Sequence, residues 1–200
     1  MNIETQLNNI KTKKILVIGD IMLDKYFFGE ATRLSPEAPI PILHKKRETV
    51  VLGGAANVAR NLVRANQNVW IMSVIGKDEE GKQLKAILEE NKINTELLIT
   101  DNTRVTTVKT RMIGPNNAQM LRLDVEDTTP ISEEISNTMI KKFEEKVKDF
   151  DIILISDYKK GVLSIENTSK LIEIANKFSK KTLIDTKEPS YAKYKNAFLI

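Results

Sequence analysis

The 200-residue sequence predicts an α/β fold, in which a mostly parallel sheet is flanked by helices and a small second β-sheet lies over it. Short apolar runs rich in β-branched residues alternate with helical patterns, which is typical of βαβ units and of a sheet covered on both faces. Two further β segments interrupt this alternation. We interpret them as a lid over the ligand-binding edge of the main sheet, where they would exclude water.

Four apolar runs are expected to form buried parallel strands, because they are short, continuous and bounded by turn residues. The first, KILVIG, ends at Gly19. The four runs span residues 14–19, 69–75, 152–156 and 182–185.

Four helical segments connect or follow these strands, and each carries apolar side chains at helical spacing. Ser132 precedes the third segment and Glu133 and Glu134 fall in its first turn, a typical sign of a helix N-terminus. The segments span residues 55–66, 80–91, 132–148 and 165–178.

The two lid segments span about residues 26–52 and 104–124. The first contains several prolines between short apolar stretches. The second alternates as RVTTVKTRMI, turns at residues 114–117 and returns as AQMLRLD, which predicts a hairpin. Because an open strand edge readily pairs with a copy of itself, the lid segments also predict a homodimer.

The last residues, NAFLI, are interpreted as a buried strand with nothing following to cover it. A parallel strand needs a neighbouring strand and a crossover connection. We therefore expect the C-terminal part of the fold to be missing from these 200 residues.

Composition excludes several classes of protein. The chain is 41% hydrophobic and 29% charged, as in ordinary globular proteins. It has no cysteine, which excludes disulfides and thiolate metal sites and fits a cytoplasmic location. The net charge of +4 is not concentrated in a basic block with aromatic residues, which argues against nucleic-acid binding. No apolar run approaches the roughly 18 residues of a membrane span.

Charged side chains follow three of the predicted strands, at the edge where open α/β sheets bind ligands. Asp24 follows the first strand and Asp157 the third, and either carboxylate would accept hydrogen bonds from hydroxyl groups. Lys160 would face a phosphate, and Asp185 with Lys187 indicates a nucleotide-phosphate or magnesium-proximal site. Each loop taken alone is also consistent with ordinary solvated charges.

A pair of glycines, Gly53 and Gly54, directly precedes the first helix and is followed by Asn57. Without Cβ atoms the backbone can approach a ligand closely, and the Asn57 amide can both donate to and accept from a sugar hydroxyl. The alternative is a tight turn that lets helix and sheet pack together. The dinucleotide and P-loop fingerprints are both absent.

Three basic residues fall on the predicted hairpin. Lys109 and Arg111 are two apart and so face the same side of a strand, and Arg122 returns beside them. An arginine fork suits a phosphate, although solvent-facing charges on an exposed sheet are about equally consistent with the pattern. The single histidine, His44, is interpreted as structural and not as a metal ligand, and Asp20 as the cap of a turn.

Taken together, these residues resemble the ribokinase/PfkB superfamily of sugar kinases. The resemblance runs from residue 13 to the end through VIGDIMLD, LGGAANVARNL, GKDEEG and ISDYKKG, in that order. TRLSPEAPIPIL at 32–43 and QMLRLDVED at 119–127 carry a closer resemblance, to the bacterial kinases of D-glycero-β-D-manno-heptose 7-phosphate.

The resemblance implies a ribokinase-like fold and transfer of the γ-phosphoryl group of Mg-ATP to the anomeric hydroxyl of the sugar. By resemblance, the sugar hydroxyls would be held by Asp24, Gly53, Gly54, Asn57 and Asp157. The 7-phosphate would be held by Lys109, Arg111 and Arg122, and the ATP phosphates would face Lys160, Asp185 and Lys187.

The sequence departs from the family in one respect. The Gly-Ala-Gly-Asp segment, whose Asp deprotonates the acceptor hydroxyl, is not among these residues, and neither is the Asn-x-x-Glu segment associated with Mg²⁺. We therefore expect the catalytic Asp beyond Ile200, residues 1–12 as an N-terminal extension, and 13–200 as the N-terminal portion of the kinase domain. The chain alone is expected to be inactive or nearly so.

Two alternatives remain at this point. The first alternative to a heptose 7-phosphate kinase is a kinase of the same superfamily that acts on another sugar or on a nucleoside. The second is a non-catalytic module for sugar binding or dimerisation.

Overall fold

A computed structural model of the protein describes residues 11–200. The predicted extension at residues 1–12 therefore falls almost entirely outside the described residues. The described part of the chain forms two sheets, and four α-helices pack against the first of them: α1 (Ala55–Arg64), α2 (Glu79–Glu90), α3 (Glu133–Lys146) and α4 (Ile165–Lys177).

The main sheet has five strands, and every neighbouring pair in it is parallel. In chain order they are β1 (Lys14–Gly19), β4 (Asn68–Gly76), β5 (Leu98–Asp101), β8 (Ile152–Asp157) and β9 (Lys181–Thr186), and across the sheet β5-β4-β1-β8-β9. All four predicted strands are present, and the short β5 is an addition that the sequence pattern does not signal.

The lid sheet has four strands, β2 (Ile21–Glu30), β3 (His44–Gly54), β6 (Val108–Ile113) and β7 (Gln119–Val125), in the order β3-β2-β6-β7. β2 and β6 are parallel, whereas the other two pairs are antiparallel. β6 and β7 form the predicted hairpin, with the turn around 115–117. Only Asp20 separates the end of β1 from the start of β2, so the lid sheet begins at Ile21 and not at the predicted residue 26.

The hydrophobic core has two parts, one on each face of the main sheet. Side chains alternate along β1, so Leu16 and Ile18 pack on the face covered by α3 and α4, whereas Ile15 and Val17 pack on the face covered by α1 and α2. The prediction of a sheet covered on both faces is thus confirmed.

Three of the four helices have a side-chain cap at the N-terminus. Asp78 caps α2 and Ser132 caps α3, while Ser164 and Asn167 form a reciprocal capping box on α4. Gly54, which precedes α1, has no side chain that could make such a hydrogen bond. Within residues 11–200, no helix is both long enough and apolar enough to cross a membrane.

The C-terminal NAFLI segment differs from its prediction as a buried strand. Leu199 makes only a single parallel bridge, to Leu183 of β9. Phe198, Leu199 and Ile200 are between 51% and 59% exposed, since they lie at the outer edge of the sheet. Apolar character alone therefore did not identify a buried strand here.

Candidate active site

A cavity of about 570 Å³ lies between the lid sheet, the start of α1 and the loop that follows β8. Of the residues predicted for the site, nine line this cavity, and Asp157 and Asp185 do not. The nine are Asp24, Gly53, Gly54, Asn57, Lys109, Arg111, Arg122, Lys160 and Lys187.

Asp24 lies inside β2, not in a loop after β1 as the sequence suggested. It pairs in register with Lys109 of β6, and its Oδ1 accepts a hydrogen bond from Nη1 of Arg111 at 2.6 Å. Burial alone would lower the pKa of the Arg111 guanidinium, but the hydrogen bond and charge of the adjacent Asp24 carboxylate outweigh burial and raise it. Asp24 therefore reaches the cavity from the lid, with its charge already balanced.

Gly53 leaves space for the Asp24 carboxylate. A Cβ atom at position 53 would collide with Oδ2 of Asp24 and would come within 2.7 Å of Cγ of Met22. Gly54 differs, because its φ of +58° is one that residues with a side chain rarely adopt. The glycine pair thus ends β3 and leads directly into α1, so it forms a strand-to-helix junction.

Asn57 lies on the first turn of α1, and its amide is already partly engaged. Nη2 of Arg60, one turn further along the helix, donates to Oδ1 of Asn57 at 2.6 Å. Arg60 also lines the cavity but was not predicted. Its spacing of three residues from Asn57, on the same helix face, was the signal that could have identified it.

The basic residues of the lid face the cavity, but carboxylates accompany them. Nζ of Lys109 donates to Asp124 at 2.7 Å and to Glu126 at 3.0 Å, and Arg122 donates to Asp124 at 2.9 Å. Glu126 also accepts from Nζ of Lys160 at 2.7 Å, which connects the lid to the loop after β8.

These ion pairs shift the pKa values of the carboxylates. Burial would raise the pKa of Glu126, but the hydrogen bonds from Lys160 and Lys109 outweigh it and lower the pKa. Six basic side chains line the cavity, whereas three carboxylates, Asp24, Asp124 and Glu126, pair with four of them. The cavity therefore carries an excess of positive charge, which suits a phosphorylated ligand.

Asp157 is not in the position that the sequence suggested. Its side chain is fully buried, and Oδ2 accepts hydrogen bonds from the Lys193 ammonium and from the Tyr194 hydroxyl, the latter at 2.8 Å. Its Oδ1 accepts from the backbone N–H of Lys159 at 2.9 Å. Both oxygens therefore accept from groups of the protein, and Asp157 supports the loop in this structure. Asp185 is exposed at the end of β9, outside the cavity lining.

Asp20 has a larger role than the turn cap predicted for it. It is 1% exposed, and its carboxylate accepts from the backbone N–H groups of Tyr158 (2.8 Å), Lys160 (3.1 Å) and Val162 (3.2 Å). Asp20 therefore fixes the loop after β8, which brings Tyr158 and Lys160 to the cavity. Burial raises the pKa of Asp20 despite these donors.

Two curated proteins are similar in sequence to most of this chain. The chain is 45% identical over 188 residues to the bifunctional protein HldE of Helicobacter pylori strain HPAG1, and 44% identical over 190 residues to HldE of Aliarcobacter butzleri strain RM4018. These alignments cover 94% and 95% of this chain but only 40% of each relative, so the chain spans well under half of their length.

Solved structures show the same fold. A carbohydrate kinase from Agrobacterium tumefaciens superposes with a TM-score of 0.69 at 22% identity, over 86% of this chain and 53% of that one. Arabidopsis thaliana ribokinase complexed with ribose and ATP superposes with a TM-score of 0.63 at 14% identity, over 88% of this chain and 54% of that one.

The predicted ribokinase-like fold is thus confirmed. A family profile described as "pfkB family carbohydrate kinase" matches residues 12–199, nearly the whole chain. With the lid sheet over the carboxyl edge of the main sheet and the glycine pair at the start of α1, this chain belongs to the PfkB family of carbohydrate kinases.

Proposed function

We propose that the intact protein phosphorylates a sugar phosphate with ATP, and that this substrate is D-glycero-β-D-manno-heptose 7-phosphate, modified at its anomeric hydroxyl. The observation that carries the proposal is the cavity under the lid, where one carboxylate and an amide accompany six basic side chains. Membership of the PfkB family and 45% identity to an HldE protein support it. The product would be a precursor for ADP-heptose and lipopolysaccharide core synthesis.

In this proposal the cavity has three functional parts. Asp24 and Asn57, with the backbone at Gly53 and Gly54, hold the sugar hydroxyls. The lid residues Lys109, Arg111 and Arg122 hold the 7-phosphate. Lys160 and Lys187 face the phosphates of ATP, with Asp185 at the outer edge of that region.

The reaction would transfer the γ-phosphoryl group in line. A bond forms between the anomeric oxygen and the γ-phosphorus while the hydroxyl proton passes to a general base, the bond from that phosphorus to the β,γ-bridging oxygen breaks, and ADP leaves. Positioning and charge neutralisation supply most of the catalysis in such transfers, and the lysines and arginines of the cavity fit that task. We propose that Mg²⁺ enters with ATP, because Mg²⁺ commonly binds through substrate phosphates in such transfers.

The test is turnover of ATP by the full-length protein. We expect efficient turnover with the heptose 7-phosphate and a kcat/KM at least about 100-fold lower with the unphosphorylated heptose, because the phosphate contacts would be lost. The 200-residue chain is expected to bind the sugar phosphate in a thermal-shift assay without turning it over. Equal use of both sugars by the full-length protein would contradict the assignment of the lid residues.

A second candidate is a PfkB kinase for an unphosphorylated sugar or a nucleoside. The observation that favours it is that Lys109, Arg111 and Arg122 are each ion-paired with a carboxylate and do not depend on a phosphate for charge balance. A panel of sugars, nucleosides and sugar phosphates in the same thermal-shift assay separates the two candidates by which class stabilises the chain.

We also propose that the protein is a homodimer joined through its lid sheets. β7 is an edge strand, and its outward side chains Leu121, Leu123 and Val125 are 59%, 53% and 46% exposed. Exposed apolar side chains along an open strand edge favour pairing with a second copy.

Substituting the two leucines, Leu121→Lys and Leu123→Lys, is expected to convert the dimer to a monomer, because two charges would be buried in the interface. Light scattering of the full-length protein measures the change. Ile165→Lys, at an equally exposed apolar residue on α4, serves as the control and should remain dimeric. A wild-type protein that is monomeric over the whole accessible concentration range would contradict the proposal.

A further inference from the structure

The six basic side chains of the cavity differ in how their charges are balanced. Lys109, Arg111, Arg122 and Lys160 are paired with carboxylates of the described chain. The remaining two, Arg60 and Lys187, form no ion pair with a carboxylate of residues 11–200. The Lys187 ammonium lies 4.5 Å from the ring centroid of Tyr158, an arrangement that partly stabilises a cation.

Arg60 has the less satisfied side chain of the two. Its Nη2 donates to Asn57, but its Nε is buried and finds no acceptor within the described residues. A buried donor without an acceptor is unfavourable, and an oxygen that reaches it recovers the lost free energy. Because Arg60 also lines the cavity, its guanidinium is suited to bind an oxygen of a ligand there.

The contact with Arg60 also decides what Asn57 offers to a ligand. With Oδ1 accepting from the guanidinium, the Nδ2 N–H donors are the part of the amide left for the cavity. Asn57 and Arg60 together therefore form a corner of hydrogen-bond donors on α1. Asp24, which accepts only, lies on the lid side of the same cavity.

We infer that Arg60 is a further substrate-binding residue, which binds an anionic oxygen of the sugar phosphate and holds the Asn57 amide with its donors towards the substrate. A phosphate oxygen fits the Arg60 guanidinium better than a hydroxyl does, because every exposed oxygen of a phosphate accepts and a guanidinium only donates, while the Asn57 donors remain directed to the sugar hydroxyls. The inference rests on the proposed function and adds to it a specificity-determining residue on α1, outside the lid.

The test compares three variants of the full-length protein by steady-state kinetics. Arg60→Gln is expected to raise the KM for the heptose 7-phosphate by about 10- to 100-fold, which corresponds to losing one charged hydrogen bond. The KM for ATP should change by less than about threefold. Arg60→Lys keeps the charge but not the fork, so an intermediate KM is expected. Arg64→Gln, at an exposed arginine of the same helix, is the matched control.

Two results would overturn the inference. One is an unchanged KM for the sugar phosphate in Arg60→Gln. The other is a rise in the KM for ATP instead, which would place Arg60 at the nucleotide. If Arg60 were only structural, Arg60→Gln would lower the melting temperature without separating the two KM values.

A binding experiment distinguishes failure of the inference from failure of the proposed function. Inorganic phosphate is titrated into the 200-residue chain by calorimetry, with wild-type and Arg60→Gln protein. A weaker affinity in the variant would support Arg60 as an anion contact even if the heptose 7-phosphate is not turned over. Equal affinities would count against Arg60 whatever the substrate is.

Discussion

Asp20→Ala is expected to lower the free energy of unfolding by about 3–5 kcal/mol, because it leaves three backbone N–H groups, one buried and two partly buried, without their acceptor. The same change would release the loop after β8, which carries Tyr158 and Lys160 into the cavity. We therefore expect activity of the full-length protein to fall together with stability. Urea unfolding of wild-type and variant chains measures the first effect.

Two comparisons make this expectation specific. Asp20→Asn keeps the shape but has one acceptor oxygen instead of two, so a smaller loss of about 1–3 kcal/mol is expected. Asp149→Ala, at an exposed carboxylate, should stay within about 0.5 kcal/mol of wild type. An Asp20→Ala protein as stable as the Asp149→Ala protein would show that the loop does not depend on Asp20.

The pH dependence of stability follows from the direction of the Asp20 pKa shift. Because burial raises the pKa of Asp20 in the folded chain, folding favours its protonated form. The contribution of Asp20 is therefore fully present below its unfolded pKa of 3.8 and decreases as the pH rises through the higher folded value. The stability difference between wild type and Asp20→Asn should accordingly be larger at the acid end of this window than at neutral pH.

The main sheet and its helices were predictable because their signals are local. An apolar run such as KILVIG is itself the whole six-residue strand, so six residues suffice to predict it. Likewise, Ser132 caps its helix by accepting a hydrogen bond from the backbone N–H of Ile135, only three positions away. The start of β2 was not predicted, because only Asp20 separates it from the end of β1. The first three residues of β2 are buried, the next six are half-buried and Glu30 is exposed, so no alternating pattern marks the strand.

The candidate site was predicted in its residue types but not in its charge pairing. Arg111 meets Asp24 across 87 positions of sequence, and Asp157 meets Lys193 across 36. Such pairs depend on strand register and loop packing, which a single sequence does not reveal. This is why Asp157 was assigned to the sugar, whereas its carboxylate is used inside the protein.

Gly53→Ala is expected to reduce kcat/KM for the sugar phosphate by about 10- to 100-fold, through displacement of Asp24. A methyl group at position 53 would collide with Oδ2 of Asp24, so the carboxylate would have to leave its place beside Arg111 and the cavity. Gly53 is not among the glycines with positive φ, so the backbone itself accepts alanine. The loss of stability should therefore be moderate, about 1–3 kcal/mol, from crowding against Met22.

A double-mutant cycle with Asp24→Asn tests whether the effect acts through Asp24. If both substitutions remove the same carboxylate contact, their effects on kcat/KM are not additive, and Gly53→Ala changes little in the Asp24→Asn protein. Gly114→Ala is the matched control, because its Cβ would also meet a lid side chain, that of Met120, away from the cavity lining. Additive effects in the cycle would contradict this. They would mean that Gly53→Ala weakens activity by blocking the sugar from the backbone, and not by displacing Asp24.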